Sequence, residues 1–203
     1  MIDVTRDGDL WTIRINRPDK ANSLTKEMLT TLADTFEAAK DARSVILTGE
    51  GKVFSAGADL EEARAGLAVD TVWERLSSAV AAVQGLTVAA LNGTLAGGAM
   101  GMALACDLRI AVPTAKFFYP VMKLGFMPQP SDPVRMAKLI GPSRTKLILM
   151  GGQKITADEA FAFGLVDRLI APEALMDEAN AIVQDTLAAK PEIAMGIKEL
   201  CRR

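Results

Sequence analysis

The 203 residues carry 23 basic and 25 acidic side chains, a formal net charge of −2, and half of them are apolar. That balance fits a globular chain with a sizeable core and gives no electrostatic footprint for nucleic acid or an anionic membrane, so neither is expected as a partner. The absence of histidine excludes Ser-His-Asp and Cys-His nucleophile systems, imidazole proton transfer and His-ligated metals.

No metal site is expected. Cys106 and Cys201 alone make neither a disulfide framework nor a zinc site, which suits a reducing, cytoplasmic setting. The first residues lack a basic segment followed by an apolar one, so no signal peptide is expected.

In chain order, residues 2–6 and 10–15 read as two strands turning at Asp7-Gly8-Asp9. A polar loop, Arg17 to Ser23, leads to a helix from about Thr25 with Met28, Leu29, Leu32, Phe36 and Ala39 on one face. Ser44 to Thr48 is a buried strand, and Gly49 to Asp59 a loop rich in small residues. Two helices broken near Gly66 occupy Leu60 to about Gln84. Leu76 to Cys106 holds no charged residue, yet Asn92-Gly93 and several other glycines mark turns inside it. It reads as a buried helix end, a strand over Thr87 to Leu91, a turn and a Gly-Ala helix over Gly97 to Ala105, not as a membrane span. Leu108 to Val112 is another strand.

Asp132-Pro133 opens a helix, with Asp132 as N-cap and Pro133 at the first helical position, and a second helix covers about Ser143 to Met150. Thr156-Ala157-Asp158-Glu159 is a capping box. Leu165 to Ile170 is a short strand or extended link, a helix runs over about Pro172 to Ala189, and Pro191 starts the last one. Strands alternating with helices, without repeats or linkers, argue for one α/β domain over residues 1–203. A sheet-based core fills about 1–130, and a helical C-terminal part about 131–203.

Two small-residue loops follow predicted strands and enter helices: Phe54-Ser55-Ala56-Gly57-Ala58-Asp59-Leu60, and Asn92-Gly93 through Gly97-Gly98 to Gly101. Small side chains admit a ligand close to the backbone, and free N–H groups at a helix start stabilise negative charge on an oxygen. The glycines serve tight turns and helix packing equally well, Gly93, Gly97 and Gly101 being spaced by four.

These loops, with Ile15-Asn16-Arg17-Pro18-Asp19-Lys20-Ala21-Asn22-Ser23-Leu24, Cys106-Asp107, Leu124-Gly125-Phe126-Met127-Pro128 and Thr156 through Gly164-Leu165-Val166-Asp167, resemble the crotonase family of enoyl-CoA hydratases and isomerases. The resemblance spans nearly the whole chain. It implies a crotonase-like spiral of ββα units, a homo-oligomer (trimer or hexamer), and a lyase or isomerase of fatty acid metabolism acting on an acyl-CoA thioester. It implies no cofactor beyond the coenzyme A of the substrate. The Ala58 and Gly98 amides then correspond to the oxyanion hole. Lys20, Ala21, Asn22 and Ala56 correspond to the coenzyme A surface, with Lys20 or Arg17 near a phosphate. Asp59, Leu60, Gly97, Gly101, Val121 and Leu124 complete the substrate-binding set. Leu60, Met100, Val121, Leu124 and Phe126 suit an apolar acyl tail or a core equally.

Hydratases of this family use two glutamates, and alignment puts Gly101 and Val121 at those positions, so ordinary hydration is not expected. Gln129, near a later working position, is no base. Asp132, Glu61, Glu62 and Tyr119 are the remaining proton-carrying candidates, although Asp132 also suits an N-cap, Tyr119 a packed aromatic, and Asp59 the cap of the helix it precedes. Further C-terminal helices usual in the family are not expected within this sequence, so the helical part reads as shortened. Two readings compete: an enzyme working through a thioester enolate, and a non-catalytic acyl-CoA-binding or assembly protein.

Overall fold

A computed structural model of the chain describes residues 1–201. Strands β1 (Ile2–Asp7) and β2 (Leu10–Ile15) form a hairpin at Gly8, whose φ of +56° suits glycine. Helix α1 (Lys26–Ala38) starts at a Thr25 cap and buries Met28, Leu29, Leu32 and Phe36 on one face, as the spacing predicts. Strand β3 (Ser44–Gly49) is buried along its whole length, the pattern of a parallel strand covered on both faces.

From here the chain repeats one manoeuvre. Three times a main-sheet strand is followed at once by a three-residue strand in a second sheet, and then by helix. β3 leads to β4 (Val53–Ser55), α2 (Leu60–Arg64) and α3 (Val72–Ala82). β5 (Leu86–Leu91) leads to β6 (Thr94–Ala96), a 3-10 turn over Gly97–Ala99 and α4 (Met100–Ala105). β7 (Leu108–Ala111) leads to β8 (Lys116–Phe118) and α5 (Val121–Leu124). The main sheet has the order β1-β2-β3-β5-β7-β10, parallel from β2 onward, and the small sheet the order β4-β6-β8-β9.

The loop expected over Gly49 to Asp59 therefore contains a strand, and two further short strands escape the sequence reading. Three residues leave no periodicity to read, and these strands are held by pairing with one another. β4, β6 and β8 lie side by side and parallel. Their C-terminal ends consequently open at one edge, the usual place for a ligand in sheets of this kind.

The C-terminal part is not helical alone. β9 (Ile155–Thr156) closes the small sheet and β10 (Arg168–Leu169) extends the main one. The helix expected to open at Asp132 begins at Ser131 behind Pro130: α6 (Ser131–Leu149) kinks at Gly141 before Pro142. The expected Asp132 cap is corrected, because its side chain turns into the core instead of back onto the helix start. The capping box at Thr156 and Glu159 is present and opens α7 (Ala157–Phe163). α8 (Leu175–Ala188) and α9 (Pro191–Cys201) follow. The Arg202 and Arg203 end of the sequence reading lies outside the described residues. Buried apolar residues from Ile13 to Val183 form one contiguous core. Among the described residues, no helix is long and apolar enough to cross a membrane.

Candidate active site

Two backbone segments meet at the open edge. Gly57 has φ +93° and Gly97 φ +59°. A Cβ on Gly57 would stand 2.9 Å from the Ala96 carbonyl oxygen and 3.4 Å from Gly97 Cα. Glycine at both places lets the loops touch main chain to main chain. Ala58 and Gly98, each one residue beyond that contact, are thereby brought together on one cavity. The amides flanking Ala58 are committed: Gly57 donates to Ser55 Oγ at 3.2 Å and Asp59 to the Leu24 carbonyl at 2.8 Å. Among the described residues the Ala58 amide donates to no such internal acceptor. Gly98 stands second in its 3-10 turn, where amides have no partner inside the helix. Behind it lies Trp73, whose ring carbons would be 3.1–3.2 Å from a Cβ on Gly98. Trp73 Nε1 donates to the Leu67 carbonyl at 2.8 Å, which fixes the indole plane.

The loop Arg17–Ser23 supports this wall from behind. Ala21 and Asn22 both adopt left-handed φ, 51° and 52°. The Asn22 side chain is fully buried; Oδ1 accepts from the Arg17 amide at 2.8 Å, and Nδ2 donates to the Glu50 and Val53 carbonyls at 2.9 and 2.7 Å. The main chain continues the tie, with the Ala56 amide donating to the Ala21 carbonyl and Ser55 Oγ to the Asn22 carbonyl. Asn22 thus ties loops together. Asp59 caps α2 through the Glu61 amide and accepts from Arg17 Nη1 at 2.8 Å. That bond is the main cause holding its carboxyl below the usual carboxylate range. Arg17 is thereby occupied, and the exposed Lys20 is the cation of this loop that projects to solvent.

The cavity measures about 420 Å³. Of the expected residues, Ala56, Ala58, Leu60, Gly97, Gly98, Val121, Leu124 and Phe126 line it. Lys20, Ala21, Asn22, Asp59 and Gly101 do not, and Met100 is packed in the core. Glu61 and Glu62 are also off the cavity; Glu62 accepts from the Lys26 amide at the start of α1. Trp73 and Phe118 line it without having been named from the sequence, and Met127 of the Leu124–Pro128 motif and Gln129, noted near a working position, line it too. Trp73 and Phe118 carry no motif, and only the crossing of α3 and β8 over the loop ends brings them in. Leu60, Leu124 and Met127 are exposed at 74%, 58% and 82%, so the mouth is apolar.

On the far wall Tyr119 lines the cavity and donates its hydroxyl to Asp132 Oδ2 at 3.0 Å. Asp132 is fully buried, and its Oδ1 has no partner. Burial pushes the Asp132 carboxyl up to about 7, against the lowering effect of the Tyr119 bond and of Arg135. The Tyr119 hydroxyl is raised, first by burial and then by the Asp132 charge.

The cavity lies beside the ends of parallel strands on a spiral of strand–strand–helix units and is apolar at its mouth. Comparison with known proteins specifies the family. The chain belongs to the enoyl-CoA hydratase/isomerase family, whose model matches residues 5–203. It is 33% identical to the crotonyl-CoA hydratase of Syntrophomonas wolfei over 96% of this chain and 78% of that protein. It is 32% identical to the carnitinyl-CoA dehydratase of Salmonella arizonae over 98% of this chain and 79% of that protein. The crystal structure of an enoyl-CoA hydratase from Bacillus anthracis superposes with a TM-score of 0.91 at 31% identity, covering 100% of this chain and 82% of the other.

Proposed function

We propose that the chain binds a coenzyme A thioester with its carbonyl oxygen between the Ala58 and Gly98 amides and stabilises the enolate formed there. What supports this reading is the Gly57–Gly97 contact, which brings Ala58 and Gly98, whose amides have no internal acceptor among the described residues, onto one cavity. Donors fixed before the reaction need no reorganisation as charge develops, and each is worth about 2.7–4 kcal/mol. Ala56 and the exposed Lys20 meet the coenzyme, with the Lys20 ammonium facing a phosphate as a point charge. Leu60, Val121, Leu124 and Phe126 receive the acyl chain. The protein works as a homo-oligomer, a trimer or hexamer, and requires no cofactor other than the coenzyme A of its substrate.

The reading in which the chain binds acyl-CoA without converting it rests on Gly101 and Val121, neither of which transfers a proton. One experiment separates the two. Titration calorimetry with butyryl-CoA and crotonyl-CoA is followed by product analysis over a panel of thioesters. Binding with conversion of at least one thioester, and slow hydration of crotonyl-CoA, is the expected result. Binding without any conversion supports the second reading. Absence of acyl-CoA binding overturns both.

A further inference from the structure

We infer that Asp132 is the catalytic proton carrier of this cavity, acting through its free Oδ1 on the α-carbon of a thioester, with Tyr119 as the residue that positions it. The inference rests on the thioester reading above and deepens it.

Three observations converge. Asp132 Oδ1 is buried without a hydrogen-bond partner, whereas Oδ2 is held by Tyr119 at 3.0 Å. A buried carboxylate oxygen left unpaired is destabilising, and such exceptions call for a functional reason. Oδ1 also lies 2.7 Å from where a Cβ on Gly101 would stand, so the absence of a side chain there makes room for this carboxyl. Finally, Gly98 and Gly101 are three residues apart on the continuous run of 3-10 turn and α4, so they share a face. Asp132 is itself off the cavity lining: its carboxyl stands behind Tyr119, which lines the cavity, and over Gly101, about one helical turn from Gly98, so in the proposed complex the acyl group enters the space over Gly101 to meet Oδ1.

The groups around the carboxyl are Tyr119 from the end of β8, Glu74 from α3 and Arg135 from its own helix. Glu74 accepts from Ser131 Oγ at 3.0 Å, and Arg135 donates to the same Ser131 Oγ at 2.6 Å. Among the described residues no cation is bonded to Asp132, and burial dominates its titration near pH 7. A carboxyl so poised takes a proton and gives it back. In the step, the C–H bond α to the carbonyl breaks and its proton goes to Oδ1. The electron pair moves onto the thioester oxygen held by the two amides. Swapping of that proton with solvent before its return to the α-carbon gives isotope exchange, and its delivery to the γ-carbon of an unsaturated chain gives a double-bond shift, without any further co-reactant.

The test is deuterium wash-in at the α-carbon of butyryl-CoA in D₂O, read by mass spectrometry, beside calorimetric binding of the same thioester. The native protein is expected to exchange, with a rate rising through about pH 7 as Asp132 loses its proton. Asp132→Asn is expected to bind butyryl-CoA within about threefold of the native protein and to lose exchange by about 100-fold or more. Tyr119→Phe removes a bond that favours the carboxylate, so exchange persists and its inflection moves to higher pH. Gly101→Ala puts a methyl against Oδ1 and is expected to impair exchange more than binding. Exchange in Asp132→Asn within about threefold of native, or no exchange by a native protein that binds, overturns the role of Asp132 and leaves the thioester site standing. Failure of the native protein to bind butyryl-CoA overturns the site itself.

Discussion

The two walls of the cavity are built from opposite materials. One is main chain: Ala58, Gly97 and Gly98, placed by the left-handed glycines Gly57 and Gly97 and by loops that touch. The other is side chain: Tyr119, backed by the buried Asp132 that accepts from its hydroxyl. Amides carry the same partial charge at every pH, whereas a buried carboxyl changes state near neutrality. In the proposed reaction the backbone wall polarises an oxygen, and the carboxyl behind the side-chain wall moves a proton.

Damage to the backbone wall is expected to be the most severe. Gly57→Val forces a β-branched residue to φ +93° and drives its Cβ toward the Ala96 carbonyl. Thioester turnover should fall by at least about 100-fold, with weaker acyl-CoA binding in calorimetry. Unchanged kinetics would mean that the two loops need not touch.

The side-chain wall predicts a pH dependence of stability. The Asp132 carboxyl rises from 3.8 unfolded to about 7 folded, so the unfolded chain releases this proton first. Stability from this group is then lost as pH rises through that window, by up to roughly 4 kcal/mol above pH 7. Urea unfolding of native protein and Asp132→Asn at pH 5 and pH 8 checks this: the variant should lose less stability over the interval.

Asn22→Ala removes a hub that serves the Arg17 amide and two carbonyls, and is expected to lower stability by about 2–3 kcal/mol in the same assay. Smallest is Lys20→Ala on the solvent side, with a three- to fivefold weaker Kd for acyl-CoA that converges on the native value in high salt.

Much of the fold was legible in residue patterns. The face of α1, the buried strands β3 and β5 and the capping box at Thr156 follow from periodicity and local hydrogen bonding. The loops holding Ala58 and Gly98 were marked by small residues after strands, and the resemblance named those two amides. The short strands β4, β6 and β8 were not legible, because three residues have no period. Asn22 read as part of a ligand surface, yet it proves to be a tie between loops, since its partners lie 28 and 31 residues away in sequence. Asp132 before a proline read as a cap because local preference favours one there.

Sequence alone bounded the chemistry: the absence of histidine excluded imidazole acid–base catalysis, and the family resemblance pointed to the Ala58 and Gly98 amides. Only the tertiary structure decided where the Asp132 carboxyl stands, bonded to Tyr119 and packed over Gly101. Local propensity acts over a few residues, whereas Asp132 is set by burial against Tyr119 and by the vacant space over Gly101, contacts that exist only once the two sheets and α6 have packed.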